Sequence, residues 1–297
     1  MPAATEPLLD AAAVRELESL SLAGTEAIVS GFGGRRAGRG RSRGLDFVDY
    51  RRYTPGDDLR DIDWNVYRRL RELVVKASPG EGHVDLALLL DGSRSMDEGT
   101  PSRFRYAQQL AAALGTVALR GSDVVAVDLL ADGEARAGTE LTAPHLVAAL
   151  LAEVGRLPRG TRTDLAASLR AHRRRSPDAD LAVLISDALV APEDLGEALT
   201  ELRASAGAAA LVHLVEGAGA ALPRGPVELR DRETGERLVV EVTDALAAEY
   251  EAEAEALAGA VRRGCEDCGI TYLRAPSTTA PLDLLFGAAR EAELVSR

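Results

Sequence analysis

The strongest constraint on the fold is an alternation of apolar runs and helix-like stretches that fills the chain after residue 82. The first run, from Val84 to Leu90, is dominated by aliphatic side chains, which is typical of a strand buried on both faces of a sheet. The stretch from Arg103 to Leu119 follows, with mostly apolar residues at steps of three and four. Alternation of this kind predicts a Rossmann-like α/β domain over residues 83–297, with a parallel sheet between two layers of helices.

The same patterns predict the other elements of this domain. Strands are expected at 124–130, 181–185, 209–215 and 270–273, with a further pair at 227–229 and 238–242. Helices are expected at 144–154, 164–173, 192–204, 244–263 and 282–291, with Thr142 as a candidate N-cap of the first. Sheets of this type bind ligands at the carboxyl ends of their strands, so the loops that follow strands are the expected place for a site.

The first 82 residues follow a less regular pattern. A helix is predicted at 11–20 and strands at 47–53 and 73–78, and Pro55-Gly56 marks a turn. Glycines at 80 and 82 separate this part from the rest of the chain. Because few apolar residues fall here, residues 1–82 are predicted to form a small α+β subdomain that docks on the larger one.

Charge and cysteine content argue against several classes of protein. The formal net charge of -12 gives no general attraction for nucleic acid. Two cysteines, Cys265 and Cys268, cannot form a disulfide scaffold and fit a reducing compartment. Their Cys-x-x-Cys spacing could be redox-active, half of a zinc site or incidental, and we favour the last because the sequence holds no second pair. No signal peptide and no apolar run of ~18 residues is present, so we expect a soluble cytoplasmic protein without membrane contact.

Three predicted loops carry oxygen-bearing side chains. They read Asp91-Gly-Ser93-Arg-Ser95, Gly160-Thr161-Arg-Thr163-Asp164 and Ser186-Asp187-Ala188. Carboxylates and hydroxyls are the hard ligands that Mg²⁺ prefers. Two carboxylates and three hydroxyls would leave such an ion under-neutralised, so an open coordination position would attract a carboxylate from outside.

The run from Leu86 to Met96 resembles the metal-ion-dependent adhesion site of von Willebrand factor type A domains. The resemblance implies that Asp91, Ser93 and Ser95 come from the first loop, that Thr163 rather than Thr161 comes from the second, and that Asp187 comes from the third. Asp91 and Asp187 would act mainly through bound water, and the hydroxyls would contact the ion. The third loop departs from the family's usual Asp-Gly, because Ala follows Asp187. Mg²⁺ is the expected metal, and Mn²⁺ or Ca²⁺ could substitute.

A signature upstream of that loop narrows the family. The run from Arg51 to Trp64 resembles the Arg-x-Tyr-x-Pro-Gly-Asp-Asp-x-Arg-x-Ile-Asp-Trp pattern of the domain-of-unknown-function 58 proteins. That family commonly accompanies MoxR-type AAA+ ATPases, so the resemblance implies an adaptor or co-chaperone of such an ATPase. The expected partner-binding residues are those of the signature: Arg51, Tyr53, Asp57, Asp58, Arg60, Asp63 and Trp64. The aromatic members could instead pack the small subdomain.

Two other functions remain as alternatives. Ser93 or Ser95 could serve a metal-assisted hydrolase, although a serine nucleophile needs a base such as histidine and His213 has the sequence context of a core residue. The arginines between Arg35 and Arg43 could bind nucleic acid, but no aromatic residue lies within that run. A binding role without catalysis is therefore the leading prediction, with the acidic side chain of a protein ligand at the metal.

Overall fold

A six-stranded sheet forms the centre of the larger part of the molecule. The strands among the residues that the structure describes are β1 Ser21–Leu22, β2 Tyr50–Arg52, β3 Val74–Lys76, β4 Asp85–Asp91, β5 Val124–Ala131, β6 Glu134–Arg136, β7 Ala179–Ser186, β8 Ala206–Val215, β9 Gly225–Arg230, β10 Arg237–Val242, β11 Thr271–Pro276 and β12 Val295–Ser296. The strand order in the central sheet is β11-β8-β7-β4-β5-β6. Strands of the central sheet pair in parallel except β6, which pairs antiparallel with β5. This mostly parallel sheet confirms the predicted fold class.

The computed structural model describes residues 7–22, 50–52, 67–68, 74–76, 83–99, 101–160, 164–176, 179–216, 224–230 and 236–296. Its chain divides into two compact units, residues 1–34 with 84–297 and residues 35–83. In the smaller unit β2 pairs antiparallel with β3. In the larger unit β1 pairs antiparallel with β12, so the first described residues join the unit that holds the sheet. This division differs from the expected subdomain of residues 1–82.

Helices cover both faces of the sheet. They are α1 Ala11–Glu16, α2 Arg103–Arg120, α3 Val147–Arg156, α4 Leu165–Arg175, α5 Pro192–Ala204, α6 Asp244–Cys268 and α7 Pro281–Leu284, with 3₁₀ turns at Leu17–Ser19, Arg94–Asp97 and Pro144–Leu146 and a π-helical turn at Leu285–Ala289. Alternate residues of β4 enter two separate cores: Leu88 and Leu90 pack with α2, while Ala87 and Leu89 pack with α4 and α5. A strand buried on both faces explains the aliphatic run in the sequence.

The predicted elements of the sheet domain are present with small shifts of their ends. The strand pair expected near Thr234 is the antiparallel hairpin of β9 and β10. The short edge strand β6 was not predicted. The prediction that Thr142 is the N-cap of the helix at 144–154 was wrong. That helix opens with a 3₁₀ turn whose N-cap is Ala143, which makes no side-chain hydrogen bond. Among the described residues no helix is both long and apolar enough to span a bilayer.

The order of the strands places a topological switch point beside β4. The chain runs from β4 outward through β5 to β6, then crosses back to β7 and continues outward through β8 to β11. Crossovers that leave in opposite directions open a crevice at the carboxyl ends of the two central strands. For this chain that crevice lies where β4 and β7 end.

Candidate metal centre

Two buried carboxylates stand at the switch point. Asp91 is the last residue of β4, and Asp187 follows Ser186, the last residue of the neighbouring β7. Each aspartate is only 3% exposed. The parallel register of the two strands therefore brings together side chains that are far apart in the chain.

The first loop turns its polar groups towards these carboxylates. The Ser93 N–H donates to Asp91 Oδ1 at 2.9 Å, and the Ser93 and Ser95 hydroxyl oxygens lie 3.0 Å apart. Gly92 lies close against β5, because a Cβ there would lie 2.8 Å from Leu129 Cδ1 and 3.4 Å from the Leu130 carbonyl oxygen. The structure thus groups four of the five predicted site residues, Asp91, Ser93, Ser95 and Asp187.

The second loop meets the first through backbone. The Gly160 N–H donates to the Gly92 carbonyl at 2.8 Å. A Cβ at Gly160 would lie 2.5 Å from Ala131 Cβ, so only glycine allows this close approach. Thr161 and Thr163, the hydroxyl residues predicted from this loop, lie outside the described residues.

Ser186 joins the first and third loops, a role the sequence reasoning did not assign. Its hydroxyl donates to Asp91 Oδ2 at 2.6 Å and accepts the Ala188 N–H at 2.9 Å. Its position as a hydroxyl residue directly before Asp187 was the available signal.

The environment of Asp187 disfavours its charged form. Burial and the negative charge of Asp91 raise the pKa of Asp187 to about 6, while hydrogen bonds from Ser95 and the Leu189 N–H and the charge of Arg103 act the other way. Burial also raises the pKa of Asp91, against hydrogen bonds from Ser186 and Ser93. Asp187 Oδ2 is buried and has no hydrogen-bond partner among the described residues.

These features fit a hard divalent cation. Two adjoining buried carboxylates with raised pKa values need positive charge, and an unpartnered oxygen can accept from a metal-bound water. The hydroxyls of Ser93 and Ser95 complete a set of oxygen donors. No group of three or more His, Cys, Asp or Glu side chains forms a metal cluster within the described part of the chain, so the donor set depends on hydroxyls as well as carboxylates.

His213 lies on β8 and contacts the third loop. Its Nε2 lies 3.0 Å from the Asp187 carbonyl oxygen, which can only accept, so Nε2 carries the proton. Nδ1 then accepts from the Tyr272 hydroxyl at 3.0 Å. Burial lowers the pKa of His213 to about 4, which keeps the ring neutral. The expectation of a satisfied core histidine is confirmed.

Ala188 adopts a conformation that favours glycine. Its φ is +50° and its side chain is buried. The departure from Asp-Gly noted in the sequence therefore places a methyl group in the left-handed region, at a cost of roughly 1–2 kcal/mol.

Of the seven signature residues predicted to bind a partner, Arg51 alone lies among the described residues. Arg51 lies in β2, opposite Val75 of β3. Tyr53, Asp57, Asp58, Arg60, Asp63 and Trp64 lie outside the described residues, as does the run from Arg35 to Arg43. Their predicted binding roles stay predictions.

One buried polar cluster was missed by the sequence reasoning. Asp128 on β5 accepts from Arg175 and from His172 Nδ1, the latter at 2.6 Å, and His172 is 1% exposed. Three arginines follow His172 in the sequence, which is typical of an exposed helical stretch. Only the packing of α4 on β5 turns the ring inward.

The sequence of this chain matches a known protein family. The family described as "Protein of unknown function DUF58" matches residues 49–258. The chain belongs to the DUF58 family. This confirms the family predicted from the signature and the Asp-x-Ser-x-Ser loop.

Curated relatives of this DUF58 chain include the uncharacterized proteins Mb1516 of Mycobacterium bovis and Rv1480 of Mycobacterium tuberculosis. Each is 30% identical over 229 residues, which are 75% of this chain and 72% of the relative.

Among solved structures, BatB from Bacteroides thetaiotaomicron matches with 20% identity and a TM-score of 0.42, over 71% of this chain and 99% of that one. An aerotolerance-related membrane protein from Bacteroides fragilis matches with 20% identity and a TM-score of 0.41, over 71% and 98%. The VWA domain of SpRpn10 matches with 12% identity and a TM-score of 0.41, over 69% and 94%.

Proposed function

We propose that this DUF58 protein is a non-enzymatic adaptor that binds an acidic side chain of a partner protein through a divalent cation, Mg²⁺ in the cell. The observation that carries the proposal is the pair of buried carboxylates at the switch point, one of which keeps an oxygen without a hydrogen-bond partner among the described residues. Two adjoining buried carboxylates carry more negative charge than the one guanidinium of Arg103 balances, and a bound cation would remove that cost.

The chain's own residues divide the work of holding the ion. Ser93, Ser95 and Thr163 would supply hydroxyl oxygens, while Asp91 and Asp187 would hold metal-bound waters and balance the charge. Ser186 and the Ser93 N–H fix the Asp91 carboxylate in place, since each donates to a different oxygen. The ion would supply an open position for the partner's carboxylate.

Contacts of the two serines favour binding over hydrolysis. The Ser93 and Ser95 hydroxyls lie against each other, and both ring nitrogens of His213 are engaged by the Asp187 carbonyl and Tyr272. A serine nucleophile needs a base within hydrogen-bond reach, and His213 is not available for that role.

The partner we propose is an AAA+ ATPase of the MoxR type. This part of the proposal rests on the signature from Arg51 to Trp64, which includes the residues expected to contact the ATPase. The acidic residue that reaches the metal would belong to that ATPase or to a client protein delivered with it.

Capture of a MoxR-type ATPase on the immobilised protein tests the proposal. We expect retention in Mg²⁺, loss in chelator, and loss for Asp91→Asn and Asp187→Asn. Asp194→Asn is the matched control, because Asp194 lies exposed on the first turn of α5 near the same loop. Retention that survives chelator and both site variants would show that the metal has no part in binding.

A further inference from the structure

Arg103 is a largely buried cation at the edge of the candidate metal centre. It is the first residue of α2, and its side chain is 10% exposed. Its Nη1 lies 3.6 Å from Asp187 Oδ2 and donates to the Ser95 carbonyl at 3.3 Å. The carboxylates of Glu98 and Glu216 lie 4.0 and 3.8 Å from the guanidinium.

The contact with Asp187 is electrostatic rather than a hydrogen bond. A distance of 3.6 Å is too long for an N–H···O bond, so Asp187 Oδ2 is attracted by Arg103 and yet keeps its lone pairs. An arginine cannot lose its proton to relieve the contact. The positive charge therefore stays beside Asp187 when a metal ion arrives.

Two cations would then share one carboxylate. A divalent ion held by Asp91 and Asp187 would lie near the Arg103 guanidinium, and the two positive charges would repel each other. A carboxylate entering from outside would lie between them and reduce that repulsion. A guanidinium also offers a planar pair of donors that suits the second oxygen of a carboxylate.

We infer that Arg103 makes the binding of the divalent cation and of an acidic ligand mutually dependent. The inference rests on the proposed function and adds a selectivity residue to it. Without an acidic ligand, Arg103 weakens metal binding by repulsion. With the ligand present, Arg103 contacts the free carboxylate oxygen and metal binding tightens. Because coupling between two binding events is reciprocal, the bound metal raises the affinity for the acidic ligand by the same factor.

The neighbours of Arg103 support this role. Glu98 and Glu216 are about half exposed, and the Tyr250 hydroxyl donates to Glu216 Oε2 at 3.3 Å. These carboxylates hold the guanidinium at the mouth of the site. Glu98 lies in the segment that follows the first loop, and Glu216 directly follows β8. Arg103 therefore stays next to the proposed open coordination position of the ion.

Calorimetric titration of Mn²⁺ tests the inference, with acetate as the probe for an acidic ligand. Each protein is titrated in sodium chloride and again with chloride replaced by acetate at constant ionic strength. We expect acetate to tighten Mn²⁺ binding to the wild type. Arg103→Gln should bind Mn²⁺ roughly 5-fold or more tightly in chloride and lose most of the gain from acetate. Arg103→Lys, which keeps the charge without the planar fork, should resemble the wild type in chloride and gain less from acetate.

Arg120→Gln is the matched control. Arg120 ends the same helix and pairs with Glu18, so this variant removes the same charge at the opposite end of α2. It should behave as wild type. Wild-type affinity and a wild-type gain from acetate for Arg103→Gln would overturn the inference and leave the proposed metal site standing, as would an equal effect of Arg120→Gln. Failure of the wild type to bind Mn²⁺, or unchanged binding by Asp187→Asn, would overturn both.

Discussion

At the scale of single residues, the candidate site holds groups that act against stability when no ion is bound. Asp91 and Asp187 are both buried, and both have raised pKa values. A carboxyl group whose pKa is raised by folding is more stable protonated, so its ionised form at neutral pH lowers the free energy of unfolding. Such opposition between function and stability is expected of a binding site.

Asp187→Asn should therefore stabilise the metal-free protein. The folded pKa of about 6 lies above the unfolded value near 3.8, so the wild type loses stability as the pH rises from about 4 through about 6. In chelator at pH 7.5 the variant should be more stable by on the order of 2 kcal/mol, measured by urea unfolding. His213 has the opposite pH dependence, but it is present in both proteins and cancels in their difference. Equal stability of the two proteins from pH 4 to pH 8 would contradict this prediction.

Ala188 gives a second prediction at this scale. A β-branched side chain tolerates a φ of +50° less well than alanine does, and glycine tolerates it freely. Ala188→Val should lower the free energy of unfolding by about 2 kcal/mol or more relative to Ala188→Gly, as measured by chemical denaturation. Ala191→Val is the control, because Ala191 is exposed and has a φ of −58°. A value for Ala188→Val close to that of the glycine variant would show that the strain is absent.

At the scale of elements, α4 is held to β5 by the polar cluster around Asp128. Asp128 Oδ1 also accepts the Gly138 N–H at 3.3 Å, so this one carboxylate joins the segment after β6 to the helix. The helix begins at Leu165 and is capped by Asp164, whose side chain accepts the Ala167 N–H at 3.0 Å.

Removing the carboxylate of Asp128 should be strongly destabilising. Asp128→Ala leaves the buried His172 and the part-buried Gly138 N–H without their acceptor, and such losses cost about 3–5 kcal/mol. Urea unfolding measures the change, with Glu134→Ala on the exposed face of β6 as the control. A loss of less than about 1 kcal/mol would mean that water replaces the carboxylate at little cost.

The two cysteines of the Cys-x-x-Cys pair at the end of α6 differ in their exposure to solvent. Cys265 is fully buried and Cys268 is half-buried, and burial raises the pKa of Cys265 to about 12. Since the thiolate is the reactive form, iodoacetamide should label Cys268 of the native protein and leave Cys265 unmodified. Mass spectrometry of native and urea-unfolded samples measures this, and both residues should react in urea. Equal labelling rates in the native protein would contradict the prediction.

At the scale of the whole molecule, the proposed binding of an ion should be linked to folding. The two aspartates come from β4 and β7, so the site exists only when the sheet is assembled. An ion that binds only the native state stabilises it by about 2.7 kcal/mol at a hundredfold excess over the Kd. We expect the melting temperature to rise with Mg²⁺ concentration and to fall back in chelator. Asp91→Asn should show no rise, and a rise as large as that of the wild type would place the ion elsewhere.

Much of this architecture could be predicted because it depends on local pattern. The aliphatic run before Asp91 indicates a strand buried on both faces, and the alternation of strands and helices indicates a parallel sheet. Carboxyl ends of parallel strands share one edge, so the loops with Asp91 and Asp187 were expected to meet. The edge strand β6 has only three residues, too few for a periodic signal.

The sequence by itself determined the fold class and the oxygen-bearing residues of the loops, since both are written in short-range spacing and residue type. Only the tertiary structure decided that β7 lies beside β4, that Ser186 reaches across 95 positions to Asp91, and that Arg103 lies near Asp187. These contacts join residues whose separation along the chain carries no periodic signal. Their strength comes from burial, which exists only after the two cores have formed around the sheet.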